Sequence, residues 1–242
     1  MGTLHTKASL YRFNALDALA VAAYLGFTVY FIVAGGNVQR LMLQLFSDPA
    51  TASYAVNAIF YAGVGIFAVA SAWRVLGRDL KILGTRPWFT LGMVPLAIVV
   101  MLILTALLVA AFGTAQSSEN QLGIQGLLQH VPAWLMVPLL VVLGPFVEEY
   151  LFRHLLIGKL SQYVNIWICC VISVAVFASI HVVGREGLVL SALAPYLGMA
   201  AVLVAVYVWT GKNLMFSYFV HAAKNLMAVV LIYAVPPELL PN

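Results

Sequence analysis

The chain has 242 residues, 64% of them hydrophobic and only 8% charged, whereas a soluble domain carries about 25% charged residues. That balance excludes a soluble globular domain and a disordered chain, and leaves a polytopic membrane protein. The net charge of +4 is small and is better assigned to cytoplasmic loops than to a nucleic-acid-binding surface.

The length suits six to eight spans of about 20 residues each. Residues 1–14 are polar and include His5, Lys7 and Arg12. The apolar run that follows is too long for a signal-peptide core, so it is expected to remain as a helix. The first run is 15–35, with Asp17 near its start. The second is 52–76 and contains Gly63 and Gly65, small residues that let helices approach closely. A basic loop follows, with Arg74, Arg78, Lys81 and Arg86, and then a third run at 88–112. Residues 113–130 are polar. Their Leu122, Ile124, Leu127 and Leu128 are too sparse for a span and suit an interfacial helix or a surface loop. The fourth run is 132–160, where Pro138 and Gly144-Pro145 should kink the helix by removing backbone donors. The fifth is 164–183 and contains Cys169 and Cys170. Adjacent cysteines rarely pair and lack zinc-site spacing, so these two read as packing residues. The sixth lies within 188–210 and is expected to be interrupted by Pro195 and Gly198. The seventh is 214–235, ended by Pro236-Pro237. No internal repeat is evident.

The expected fold is therefore an all-α transmembrane helix bundle of about seven spans with a polar intramembrane cavity. It forms one membrane domain, 1–242. With the N-terminus in the cytoplasm, the inner segments hold nine basic residues, Lys7, Arg12, Arg74, Arg78, Lys81, Arg86, Arg153, Lys159 and Lys212. The outer ones hold two, Arg40 and Arg185. This bias predicts an N-in integral protein of the cell membrane.

One stretch stands apart, Gly144-Pro145-Phe146-Val147-Glu148-Glu149-Tyr150-Leu151-Phe152-Arg153. Ionised groups in hydrocarbon cost a few kcal/mol each on the gentler insertion scales. On a helix Glu149 and Arg153 share a face at i,i+4. Glu148 lies about 100° away, so Arg153 cannot serve both acids equally. One carboxylate is neutralised and the other is available for chemistry. His181 ends the fifth run, and His221 and Asn225 share one face of the seventh, with Lys224 between them on another. Taken singly, each has a plain structural use: a satisfied polar residue at a helix end, an interhelical hydrogen bond, an ion-pair clamp. Phe177 reads as packing beneath His181, and Tyr and Trp at the span ends as interface anchors. His130 and His154 read as interfacial, without a role.

Together the polar groups hold what hydrolysis of an amide bond needs. Glu148 can take a proton from water, and a histidine can orient that water. His221 and Asn225 can stabilise the oxyanion that develops on the scissile carbonyl. No Ser or Cys is activated by these groups, so water is the nucleophile.

Glu148-Glu149-x-x-x-Arg153, Phe177-x-x-x-His181 and His221-x-x-x-Asn225, in this order on successive apolar segments, resemble the CAAX protease and bacteriocin-processing family. These are Abi-type intramembrane proteases related to the CAAX prenyl endopeptidase. The resemblance covers 132–235, the expected catalytic core. It includes Gly198 and the turn Thr210-Gly211-Lys212-Asn213-Leu214, while the first three spans share only hydrophobicity. It implies a multi-helix bundle with a conical polar cavity and peptide-bond hydrolysis in the membrane. It further implies Glu148 as general base, Glu149 and Arg153 as supporting partners, His181 on the water, and His221 with Asn225 on the oxyanion.

The favoured mechanism is a glutamate-activated water with no cofactor. The alternative is a zinc site built from His181, His221 and Glu148, a ligand set known in catalytic centres. Expected partners are a peptide or protein substrate and the lipid bilayer, with no nucleic acid; the sequence leaves the oligomeric state open. The work expected of such an enzyme is processing of signal or bacteriocin-type peptides, or self-immunity. A non-enzymatic immunity or scaffold protein is the competing class, and a proton-carrying transporter a third. Helix arithmetic adds one requirement. His221 lies only about 10 Å into its span, while Glu148 and His181 lie about 20–25 Å into theirs. A shared site then requires segment 182–195 to dip into the bundle.

Overall fold

A computed structural model of the chain describes residues 10–113, 119–183 and 187–234. His5, Lys7, Arg185 and the Pro236-Pro237 stop fall outside them. The described elements are all helices: α1 (Ala15–Leu45), α2 (Pro49–Thr85), α3 (Pro87–Phe112), α4 (Glu119–His130), α5 (Ala133–Gln162), α6 (Ile166–Val182), α7 (Leu190–Trp209) and α8 (Leu214–Ala234). Six of them are long and apolar enough to cross a membrane, and α6 is a shorter apolar helix of 17 residues. The chain is an integral membrane helix bundle of about seven spans. Part of the polar segment 113–130 is α4, a short helix too polar to span.

α1 opens on a capping box. The Asn14 side chain accepts from the Asp17 N–H at 3.0 Å, and the Asp17 carboxylate accepts from the Asn14 N–H at 2.8 Å, which satisfies two orphan donors. The helix kinks at Ala34, just before Gly35-Gly36. α7 is not interrupted as expected. Pro195 sits in its second turn, where little of the hydrogen-bond ladder is lost, and the helix runs on to Trp209. Gly198 serves contact instead: a Cβ there would stand 2.6 Å from Thr105 Oγ1 and 2.9 Å from its Cα. α3 and α7 can therefore approach backbone to backbone.

α5 is the axis of the bundle, and its prolines do more than kink it. It winds as α-helix over Ala133–Val137, π-helix over Pro138–Leu143, α-helix over Gly144–Glu149 and π-helix over Tyr150–Lys159. Pro145 has no N–H to donate. The Gly144 N–H reaches Leu139 O, an i→i−5 bond. Wide turns of this kind gather at functional sites. From Val147 to Lys159 nearly every side chain is buried.

This burial corrects three sequence expectations. Arg153 and Lys159 do not add to the charge of the inner segments. They are 0% and 1% exposed inside α5, which leaves seven inner basic residues against two outer ones. His154 is not interfacial. It is fully buried, with its ring 5.7 Å from those of both Tyr11 and Tyr150. The reason is the winding: wide turns bring all sides of 150–159 against neighbouring helices, so no side faces lipid.

Two buried networks fix the surrounding helices. Asp17 on α1 pairs with Lys159 Nζ at 2.6 Å and accepts from Ser71 of α2 and Tyr150 of α5, each at 2.5 Å. Asp79 on α2 accepts from the Leu214 N–H at 2.6 Å and from Arg78 Nε at 2.6 Å. Asn213 caps α8 through the N–H groups of Met215 and Phe216. The turn before α8 places Gly211 at φ 73° and Lys212 at φ 63°, a conformation costly for lysine. Lys212 is held there by its Nζ on Ser161 Oγ at 2.7 Å and by Tyr11 OH and Arg78 on its carbonyl.

That turn resolves the depth problem. Asn213 and Leu214 are 1% and 0% exposed, so α8 starts inside the bundle. His221 reaches the middle in two turns. The described residues of 182–195 are the end of α6, loop and the start of α7, and no dip is needed.

Removing one member of a buried ion pair costs about 3–5 kcal/mol, while replacing both by apolar groups costs far less. Lys159→Met should therefore lower the melting temperature in detergent strongly. Asp17→Leu combined with Lys159→Met should recover part of the loss.

Candidate functional site

The site is built on the short α-helical piece of α5 between its two π-helical stretches. Glu148 and Glu149 are adjacent, and their surroundings separate them as the helical spacing requires. Glu149 Oε1 lies 3.1 Å from Arg153 Nη1 and 3.0 Å from His221 Nδ1. Both Glu149 and Arg153 have no side-chain exposure. The guanidinium lies over the Phe177 ring at 4.5 Å and donates from Nη2 to Ala200 O at 3.4 Å. Its Nη1 sits at ion-pair distance from Glu149 without aligning a hydrogen bond, so the contact is chiefly Coulombic.

Glu148 faces a different set of groups. Its Oε1 accepts from Tyr61 OH at 3.0 Å. Its Oε2 stands 3.7 Å from His221 Nε2 and 3.9 Å from His181 Nε2. The two ring nitrogens therefore cannot be farther apart than the sum of those distances, which satisfies the proximity that a common site demands. The Glu148 and His181 side chains retain 10% and 15% exposure. The compensated carboxylate is sealed and the other is within reach of solvent.

Hydrogen-bond partners assign the ring nitrogens. His181 Nδ1 lies 2.7 Å from Phe177 O, a carbonyl that can only accept. His221 Nδ1 lies 3.0 Å from the Glu149 carboxylate, also an acceptor. Both rings thus carry their proton on Nδ1, and in the neutral form Nε2 of each is the acceptor. The two acceptor nitrogens and Glu148 Oε2 converge. The His181 ring stacks on Tyr196 at 4.6 Å and sits 4.6 Å from Phe177, which fixes its plane. Phe177 is the packing residue that the sequence suggests, and it also touches His221 and Arg153.

The zinc alternative can be tested on these atoms. The donor types fit, and outward Nδ1–H groups on acceptors are the usual support of metal-bound histidines. The spacing is wider than that of a loaded site. Bonds of 2.0–2.1 Å in a tetrahedron put donors about 3.3 Å apart, less than the separations here. Among the described residues no three His, Cys, Asp or Glu side chains are placed to hold a metal ion.

Asn225 is placed differently from the other expected site residues. Its Nδ2 donates to Leu140 O at 2.9 Å. That carbonyl lacks its helical donors, because the Gly144 N–H is spent on Leu139 O and Pro145, the next in line, has none. Asn225 therefore repairs the ladder that Pro145 breaks. One N–H of its amide remains for other use. Lys224, beside it, is half-buried.

Tyr61 is the residue the sequence did not reveal. A tyrosine in an apolar α2 looks like any packing or anchoring aromatic. The one signal available was its position in mid-span, away from the interfaces where tyrosine anchors usually sit.

Residues 130–227 match the family described as type II CAAX prenyl endopeptidase Rce1-like. Over 120 residues, half of this chain, the sequence is 29% identical to YdiL of Bacillus subtilis, named a candidate membrane peptidase, and covers 46% of that protein. Over 146 residues, 60% of this chain, it is 26% identical to the membrane-embedded CAAX protease MroQ of Staphylococcus aureus and covers 57% of it. The chain thus spans about half the length of the curated relatives it matches. No solved structure matches it.

Arg153→Met should cost about 3–5 kcal/mol, because it leaves the buried Glu149 charge without its cation. Glu148→Gln keeps an acceptor for Tyr61 and should melt close to wild type. Thermal unfolding of the two variants in the same detergent checks this order.

Proposed function

We propose, from the match of residues 130–227 to the family described as type II CAAX prenyl endopeptidase Rce1-like, that this membrane protein is an intramembrane endopeptidase in which Glu148 activates the hydrolytic water. The observation that carries the reading is the meeting of Glu148 Oε2 with the Nε2 atoms of His181 and His221 at 3.9 and 3.7 Å. A water at that point donates to the carboxylate and to an imidazole. Glu148 takes its proton as the oxygen attacks the scissile carbonyl, and returns a proton to the leaving amine.

Glu149 and Arg153 act through His221. The carboxylate holds Nδ1–H, which fixes the ring and directs Nε2 inward, while the guanidinium keeps that carboxylate charged in a dry setting. With the water held by Glu148 and the neutral His181, a His221 that enters the cycle already protonated donates its Nε2–H, and Asn225 its second N–H, to the oxyanion. Asn225 is then a double-duty residue, holding Leu140 O with one N–H and the substrate oxygen with the other. Tyr61 positions Glu148 by occupying its far oxygen.

The membrane setting of the cluster suits peptides or proteins inserted in the bilayer or bound to it. Processing of signal or bacteriocin-type peptides, or self-immunity, is the proposed biological use. The excess of basic residues on one side supports an N-in orientation in the cell membrane.

Purified protein in detergent is to be offered a panel of peptides. Glu148→Gln should lose about 10²–10⁴-fold in kcat, the usual contribution of a general base. Wild-type cleavage should persist with chelator. Tyr61→Phe should lower kcat by a smaller factor, with KM little changed. Loss with chelator and recovery with zinc would replace the glutamate mechanism by a metal one. Equal cleavage by wild type and Glu148→Gln would defeat the proposed role of Glu148. A cellular function that survives Glu148→Gln in a protein that cuts nothing would make it a scaffold.

A further inference from the structure

A notch of about 310 Å³ lies where the start of α1 meets the basic end of α2. Arg12, Arg74 and Lys159 line it, with Asn14 and Ser71, and Leu10 and Trp73 supply apolar surface. The size is that of a small-molecule site.

The charge here is unbalanced. Lys159 is cancelled by Asp17 at 2.6 Å, and Asn14 and Ser71 are engaged in the same network. Arg12 and Arg74 are exposed, and the ion pairs among the described residues involve neither of them. Among the described residues no carboxylate lines the notch. Two guanidinium groups thus face one concavity with no anion among the described lining residues to meet them.

The depth is also defined. The apolar part of α2 ends at Trp73, and Arg74, Arg78 and Lys81 follow, while α1 becomes apolar from Ala15. Trp73 is 71% exposed, as an indole at a membrane–water boundary would be. The notch therefore lies at the level of the lipid phosphates. Guanidinium forks match phosphate oxygens bidentately, and basic pockets between transmembrane helices hold anionic headgroups.

We propose that this notch binds the phosphate of an anionic phospholipid, with Arg12 and Arg74 on the phosphate and Trp73 and Leu10 against the glycerol and upper acyl chain. The bound lipid bridges the start of α1 to α2 and, through Lys159, lies against the helix that carries Glu148.

The test uses the full chain in neutral detergent, followed by thermal unfolding. Short-chain phosphatidylglycerol, short-chain phosphatidylcholine and inorganic phosphate are titrated separately into wild type and an Arg12→Gln/Arg74→Gln variant. Phosphatidylglycerol should raise the wild-type melting temperature. The variant should require about 30-fold more of it, from the contribution of two cations at an anionic surface. Phosphatidylcholine should leave both unchanged. Equal responses of wild type and variant, or equal responses to the two lipids, would overturn the proposal. Inorganic phosphate reproducing the shift at the lipid's own concentrations would overturn the lipid source and leave a free-anion site. Should the double variant unfold too early to titrate, the single exchanges Arg12→Gln and Arg74→Gln carry the same comparison.

Discussion

The structure depends on the cost of placing charge where water cannot reach it. Three buried carboxylates in this bundle are matched by cations, and the matching differs from place to place. Asp17 takes Lys159, Asp79 takes Arg78 and a helix N-terminus, and Glu149 takes Arg153 and His221. The pairs tie α1, α2, α5 and α8 to one another. A buried pair can come close to breaking even against apolar packing, so these ties specify one arrangement more than they add stability. Glu148 is the exception. It has a hydroxyl and two imidazoles but, among the described residues, no Lys or Arg within ion-pair distance. Its matching is by hydrogen bonds and imidazoles, where that of Glu149 is by a guanidinium.

Around that carboxylate the backbone is arranged by local chemistry. Pro145 strips a donor from α5, the winding widens, and a carbonyl is released that Asn225 then takes up. Asp79 and Asn213 anchor the N-terminus of α8 inside the bundle, and two turns further along His221 meets Glu149. A histidine near a helix end and a carboxylate deep in another helix thereby come to one level without any bent loop between them.

How much of this could be read in advance follows the range of each interaction. The i,i+4 relation of Glu149 and Arg153 is local, so the division of labour between the two acids was legible from spacing alone. The grouping of His181 and His221 was legible through the order of motifs, but the means of bringing them level was not. A dip between α6 and α7 was expected, whereas the answer was a deep start for α8. Prolines signalled irregularity, yet Pro195 proved harmless early in α7 while Pro145 reshaped the middle of α5. Lys159 looked like a loop cation because its partner was hidden: Asp17 lies 142 positions away from it. Tyr61 is 87 positions from Glu148, and nothing along the chain joins them.

The matched segment 130–227 looks self-sufficient in one dimension, since it contains both carboxylates, both histidines and the arginine. In three dimensions it borrows. Tyr61 donates a hydrogen bond to Glu148, Asp17 closes the circuit on Lys159, and Asp79 seats the helix of His221, all from the preceding helices. The segment cannot be grafted as a cassette onto another membrane scaffold. The host would have to supply a hydroxyl and two carboxylates at matching depths, or the transplanted helices would carry an unanswered lysine and a loosely tethered glutamate into a foreign bilayer.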